Sequence, residues 1–197
     1  MRKKSRGYLV IKRLLDIAMS LFLILFCVAF LWWWIFIINV FSTKGHPFFT
    51  AKRLGKSKKI FNMFKFRTMK YGAPIIPPYE LTDEQRFSIE TSFGRFLRKT
   101  SLDETLQFLN VLFGQMSLVG PRPGATINED ILTEARDSVL PSPYDVLPGI
   151  TGLSQVNLKR GHNVKEKAQL DSEYVKKISF LLDLKIMVKT LKCLGGK

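Results

Sequence analysis

Two carboxylates stand side by side at Asp103 and Glu104, and Arg95, Arg98 and Lys99 lie just upstream. Ser101-Leu102-Asp103-Glu104 has the form of a capping box, with Ser101 as N-cap and Glu104 at the third helical position. The same placement has a chemical reading. In a first helical turn the helix dipole favours the charged form of Asp103, and unpaired helix N–H groups beside arginines hold phosphate. An ionised aspartate next to a bound phosphoryl group is what nucleophilic attack on phosphorus requires, and two adjacent carboxylates can hold Mg²⁺. A purely structural cap satisfies the local pattern equally well, so both readings stand at this level.

Two further features carry cations. Pro121-Arg122-Pro123 fixes the backbone on both sides of one arginine and so limits where its guanidinium can reach; an ordinary surface turn is the alternative. Lys65 and Arg67 alternate with Phe64, Phe66 and Met69, which also reads as a strand with one basic face. His46 and His162 are the two histidines, too few for a His-based metal site. A Walker loop, a dinucleotide glycine fingerprint and a Gly-x-Ser-x-Gly elbow are all missing.

The elements that must position these groups are legible in outline. Phe48–Thr50 and Ile60–Phe66 read as strands around a turn at Gly55-Lys56. Prolines and a glycine make 71–79 a loop. A helix is expected from about Thr82 to Leu97, and a second from Ser101 to about Phe113, where Leu102, Leu106, Leu109 and Phe113 keep helical spacing and Gly114 ends it. Another is expected around Asn128 to Asp137, then a loop from Pro141 to Pro148. The last helical stretch, Lys165 to Leu194 and divisible in two, carries an apolar stripe (Ile178, Leu181, Leu182, Met187, Val188, Leu191, Leu194) flanked by Lys185, Lys189 and Lys192. That stripe fits either core packing or a membrane interface.

From Ile17 to Ile38 every residue except Ser20 is apolar, a run long enough to cross a hydrocarbon core of the usual thickness, with Trp32, Trp33 and Trp34 placed for headgroup contact. The net charge of +15 gathers around it: residues 1–70 hold 15 Lys/Arg against the single acid Asp16, while the remainder holds 16 against 15. Charge concentrated beside an apolar segment points to anionic membrane lipids and away from nucleic acid, which would call for a basic folded surface. Both flanks are basic, so the positive-inside rule places both in the cytoplasm. A re-entrant helix meets that demand and a straight span does not, yet the segment holds no proline to turn it. Arg13 and Asp16, three apart, can pair at its entrance. Cys27 and Cys193 fit free thiols in a reducing compartment.

The ordered set Lys65-Phe66-Arg67-Thr68-Met69, Ser101-Leu102-Asp103-Glu104, Asn110 through Gly120-Pro121-Arg122-Pro123, Pro148-Gly149-Ile150-Thr151-Gly152-Leu153-Ser154-Gln155-Val156-Asn157 and Leu182-Asp183-Leu184-Lys185-Ile186 resembles the bacterial sugar transferases, the small monotopic phosphoglycosyl transferases. The match runs from about Lys12 to Lys192. The resemblance implies transfer of a phosphosugar from a UDP-sugar to a polyprenol phosphate with release of UMP, dependent on Mg²⁺, as the first membrane step of surface polysaccharide or glycoconjugate synthesis. It implies Asp103 as nucleophile, forming a phosphosugar-aspartate intermediate, with Glu104 supporting it and the pair holding the metal. Lys65, Arg98 and Arg122 become phosphate-binding cations, and Gln155, Arg160 and Asp183 line the substrate site. The implied fold is mixed α/β and mostly helical. Residues 1–42 would form a basic N-terminus and a re-entrant membrane helix. Residues 43–197 would form a cytoplasmic catalytic domain with short strands and interfacial amphipathic helices, on the bacterial cytoplasmic membrane. A homo-oligomer is left open. The chain departs from the family pattern at Val28-Ala29, where a helix-breaking Ser-Pro pair is usual, and at Thr105, Gln115, Leu147 and Lys159. A catalytically degenerate membrane scaffold of a polysaccharide assembly complex is the rival expectation.

Overall fold

The computed structural model describes residues 3–74, 82–126, 130–158 and 163–194. The apolar run is not one helix. Helix α1 covers Lys3–Phe30 and α2 covers Trp32–Thr43, with Leu31 between them at φ −122° and ψ −48°. Hydrogen bonds continue on both sides of the break, from Leu31 N to Cys27 O (2.9 Å) and from Ile35 N to Leu31 O (3.0 Å), so the axis bends without a loop. No proline is needed. Trp32 is drawn onto the rest of the protein, its indole N–H donating to Thr105 Oγ1 (3.1 Å) and its ring standing edge-on to Phe66.

Burial explains why the pair lies where it does. Lys12, Asp16, Ser20, Ile24, Cys27, Ile35, Asn39 and Thr43 are buried, three, four or eight residues apart along one face. The opposite face leaves Leu14, Phe22, Leu25, Phe30, Trp33, Trp34 and Phe41 exposed. The buried stripe is polar at its ends and apolar in its middle, and the ends are tied down. Arg13 donates to the carbonyls of Val111 (2.8 Å) and Leu112 (3.2 Å) and not to Asp16, the partner expected from spacing. Asp16 instead accepts from Ser117 Oγ (2.6 Å) and faces Lys12 (3.6 Å). At the far end Asn39 Nδ2 donates to Pro47 O (2.8 Å). Both ends of the apolar pair are therefore fixed to one domain.

In that domain β1 (Phe48–Leu54) and β2 (Ile60–Phe66) form the expected antiparallel hairpin, Phe48 opposite Phe66 and Leu54 opposite Ile60. A short strand β4 (Gly124–Ala125) adds to β1 in antiparallel register. A separate parallel pair joins β3 (Ser117–Val119) to β5 (Gly149–Thr151). There the backbones come so close that a Cβ on Gly149 would lie 2.1 Å from Gly120 N.

The stretch expected as one helix after Thr82 is two, α3 (Asp83–Ile89) and α4 (Ser92–Thr100). The interruption is a β-bridge between Glu90 and Met69, followed by Thr91, whose hydroxyl caps α4 by accepting from Gly94 N (2.8 Å). Gly94 packs directly on Thr68: a Cβ there would lie 2.0 Å from the Thr68 carbonyl oxygen. The remaining helices are α5 (Gln107–Leu112), α6 (Asp130–Asp137), α7 (Leu153–Asn157), α8 (Val164–Lys177) and α9 (Phe180–Leu194).

Three apolar clusters hold these elements together. One joins Val119 and Val146 to Tyr174, Val175, Ile178 and Ile186, with Leu182 and Met187 packed against it. A second places Ile35 of α2 against Phe66, Leu97 and Leu106. The third packs Phe61 and Met63 of β2 on Val111 and Met116. The C-terminal apolar stripe is thus divided between two faces. Ile178, Leu182, Ile186 and Met187 serve the core, while Phe180, Leu181, Leu184, Val188 and Leu191 point outward and are exposed.

Candidate active site

Ser101 does not cap a helix. It sits in the left-handed region (φ 58°), ends α4, and leads into a single 3₁₀ turn, Leu102–Glu104; the helix proper begins only at Gln107. The capping box does not form, and the helix dipole argument for a charged Asp103 fails with it. What places the dyad is the junction itself: α4, held on Thr68 through Gly94, delivers Asp103 and Glu104 against the end of β2. Asn110 of α5 fixes β2 in turn, accepting from Phe64 N (3.0 Å) and donating to Asn62 O (2.7 Å). Gln115, one of the departures noted above, also accepts from Asn110 Nδ2 (2.6 Å) and so steadies the same side chain.

The two carboxylates have opposite surroundings. Glu104 Oε1 accepts from Lys65 Nζ (2.7 Å) and from Arg122 Nη2 (2.8 Å). Burial alone would raise its pKa, but the two cations outweigh it and hold the carboxyl well below the usual carboxylate range. Asp103 is buried, and its ion pair with Lys65 is longer, 3.9 Å from Nζ to Oδ2. Here burial wins over Lys65, Glu104 adds to the rise, and Arg98 and Arg122 oppose it, so the carboxyl titrates above its ordinary value. One carboxylate is neutralised by bonded cations. The other is buried and held only by a longer ion pair.

Arg122 is aimed by residues that short-range patterns do not reveal. The fully buried Arg136 of α6 donates from Nη2 to the carbonyl of Arg122 (2.8 Å) and to Asp171 Oδ2 (2.5 Å), and Ser154 Oγ donates to Asp171 Oδ1 (2.7 Å). In sequence Arg136 looks like a surface charge near the end of a polar helix; only the packing of α6 on α8 makes it a brace.

The other expected site residues divide. Arg98 donates from Nε to Thr68 Oγ1 (2.9 Å) and pairs with Glu90, which ties it to the α3–α4 junction within electrostatic reach of Asp103. Gln155 Nε2 donates to Ile150 O (3.1 Å), against β5. Asp183 accepts from Tyr174 OH at Oδ1 (2.8 Å), and at Oδ2 from Tyr8 OH (2.8 Å) and Lys12 Nζ (2.7 Å). Both its oxygens are engaged in joining α1 to α8 and α9. Arg160 lies outside the described residues.

Among the described residues no group of three His, Cys, Asp or Glu side chains could hold a metal ion. The dyad does fit Mg²⁺ in another way. That ion keeps several waters and is commonly bound through one or two carboxylates plus substrate phosphates, and a desolvated Asp103 beside Glu104 offers such a donor pair.

Beside Lys65 opens a cavity of about 510 Å³. Its walls come from the bend of the apolar pair (Val28, Trp32, Trp33, Phe36) and from Phe48, Phe64 and Leu109; Lys65 is the charged group in its lining. The cavity wall is almost wholly apolar, and the Lys65 side chain that forms part of it carries its ammonium to Glu104.

The bacterial sugar transferase family profile matches residues 7–196. The galactosyl transferase CpsE of Streptococcus agalactiae serotype III is 37% identical over 199 residues, covering 94% of this chain and 42% of its own. A UDP-glucose:undecaprenyl-phosphate glucose-1-phosphate transferase of Xanthomonas campestris pv. campestris is 38% identical over 165 residues, covering 79% and 33%. The uncharacterized sugar transferase EpsL of Bacillus subtilis is 38% identical over 190 residues, covering 93% and 87%. The chain thus spans less than half the length of the first two relatives and most of the third. With the matched region running nearly end to end, from the apolar helix through the dyad to α9, this chain belongs to the bacterial sugar transferase family.

Proposed function

We propose that the chain is a membrane-bound phosphoglycosyl transferase that moves a sugar 1-phosphate from a UDP-sugar to a polyprenol phosphate and releases UMP. The observation that carries this reading is the split within the dyad. Glu104 is bonded by Lys65 and Arg122, while Asp103 is desolvated with its nearest recorded cation 3.9 Å away. A carboxylate stripped of water and left without a tight partner is a better nucleophile than one that is neutralised.

In the first half-reaction an Asp103 oxygen attacks the phosphorus bearing the sugar. The bond from that phosphorus to the bridging oxygen breaks, and its electron pair leaves with UMP. In the second, an oxygen of the polyprenol phosphate attacks the same phosphorus, the bond to Asp103 breaks, and the carboxylate is regenerated. Lys65 and Arg122 are placed to meet phosphate charge as they meet Glu104, and Arg98 contributes at longer range. Phosphoryl transfer depends mainly on such positioned charge. Asp103 and Glu104 would hold Mg²⁺, which supplies neutralisation of pyrophosphate charge when bound. We assign Gln155 and Arg160 to substrate binding, and Asp183 to holding the membrane helix on the domain.

The apolar cavity beside Lys65 suits the isoprenoid tail of such an acceptor. The bent pair α1–α2, with both ends fixed to the domain, suits a re-entrant insertion of its exposed apolar face, and a straight span would separate those ends. We assign the domain to the cytoplasmic side of the bacterial cytoplasmic membrane, where the basic flanks of the apolar pair favour it, with residues 43–197 as the catalytic portion. Two relatives carry names describing sugar transfer, and the same class of reaction is proposed here.

The test is incubation of the reconstituted protein with UDP-sugars labelled in the sugar-bearing phosphate, followed by denaturation. Label should stay on the protein when acceptor is omitted, and UMP should appear with Mg²⁺. A protein that keeps its fold and membrane placement but neither labels nor releases UMP from any UDP-sugar would be a scaffold instead.

A further inference from the structure

A second cavity, of about 370 Å³, lies between α7, α8 and α9, within the size range of ligand sites. It holds none of the dyad residues. Its floor is apolar, from Leu153, Leu182 and Ile186, and its rim is basic, from Lys177, Lys185 and Lys189. The charges are unevenly satisfied. Lys177 pairs with Glu173 one turn back (2.6 Å). Lys189 donates to the neutral amide of Asn157 (2.9 Å). Lys185 has no recorded partner among the described residues, so the rim is left with an excess of positive charge.

The position of the rim on α9 identifies what it faces. At 100° per residue, Lys185 borders the outward stripe of Phe180, Leu181, Leu184, Val188 and Leu191, and Lys189 follows it between that stripe and the core-facing Leu182. A helix with an exposed apolar face bordered by lysines rests in the bilayer surface with those lysines at headgroup level. The neighbouring elements agree. Leu182 and Met187 share a core cluster with Tyr8 and Leu9 of α1, and Asp183 bonds Lys12, so α9 runs beside the base of the apolar helix.

We propose that this cavity seats the headgroup of an anionic glycerophospholipid, its phosphate held by Lys185 and Lys189 and its acyl chains along the outward face of α9. A soluble anion would use the lysines but leave the apolar stripe unexplained, whereas a lipid uses both. The site rests on the membrane placement of the chain and not on phosphosugar transfer.

The full-length protein would be reconstituted in nanodiscs of phosphatidylcholine containing a minority of phosphatidylglycerol, and the lipid retained through detergent exchange read by native mass spectrometry. Wild type should retain phosphatidylglycerol well above its proportion in the disc. The double variant Lys185→Gln/Lys189→Gln should lower phosphatidylglycerol affinity by roughly thirtyfold, two lysines' worth of attraction, and lose the enrichment, while its far-UV spectrum and thermal midpoint stay unchanged. The control Lys165→Gln/Lys176→Gln removes the same charge from α8, outside the cavity and off the α9 stripe, and should retain the lipid. Equal loss in both variants would mean diffuse attraction and overturn the site. Displacement of the lipid by soluble glycerol phosphate would mark a soluble-anion site and overturn it too.

Discussion

The dyad corner and the Asp183 cluster are built from the same materials, buried carboxylates facing lysine, yet they differ in completeness. At Asp183 both oxygens are filled, by Tyr174 of α8 and by Tyr8 and Lys12 of α1. At Asp103 the recorded ion pair is a single 3.9 Å contact with Lys65, because Glu104 takes that lysine's hydrogen bond and Arg122's as well. A closed carboxylate fastens elements together and an open one is available for chemistry. The contrast teaches that burial and charge pairing by themselves do not mark a catalytic aspartate; what marks it is which oxygens remain to be used.

The sharpest way to break this contrast is to neutralise each aspartate. Asp103→Asn should lower labelling and UMP release by on the order of 10³-fold or more. Its thermal midpoint should hold or rise, because burial already disfavours the charge that is removed. Asp183→Ala should do the reverse. Truncating one member of a buried, hydrogen-bonded charge cluster costs about 3–5 kcal/mol, which for a chain of this size lowers the midpoint by roughly 6–20 °C. Molecules still folded at low temperature should label normally. If Asp183→Ala abolished labelling at full stability, the closed cluster would belong to the chemistry after all.

A subtler test uses pH. In the proposed mechanism Asp103 must be ionised to attack, and its folded value is raised, so activity should fall on acidification at a higher pH than an ordinary carboxylate would set. Lys65 is the main group opposing the rise. Lys65→Met should therefore move the acid limb of the kcat profile further up in pH and also reduce the maximum. An acid limb that stays in place would show that Lys65 acts on substrate alone. The smallest effect is expected at Lys58, paired with Asp137 at 2.7 Å with both side chains 46% exposed. Lys58→Ala should change stability by less than about 1 kcal/mol in urea unfolding and leave labelling intact.

How much of this was legible beforehand follows from the range of the forces involved. The β1–β2 hairpin and the apolar segment were readable, because they rest on periodicity and turn residues within a few positions; the C-terminal helical stretch was readable as a whole, but not where it divides into α8 and α9. The dyad and its cations Lys65 and Arg122 were found through motif order, and the structure brings those four together. The capping box misled, because Ser101 answers to the close packing of Gly94 on Thr68 and not to its own neighbours in sequence. The bend at Leu31 was invisible for a similar reason: it is held by Trp32 reaching Thr105, a contact 73 residues away. Arg136, Asp171 and Asp183 depend on helices meeting in space, and no local spacing encodes that.

The bend has one more consequence, in terms of the electrical potential across a bacterial membrane. A straight span would carry Arg2, Lys3, Lys4, Arg6, Lys12 and Arg13 outward, each against about 2.3 kcal/mol per 100 mV of inside-negative potential. With α1 and α2 fixed at both ends to one domain, none of that charge has to move. In the proposed re-entrant arrangement insertion moves no charge across the membrane, and placement should be the same in energised and de-energised membranes.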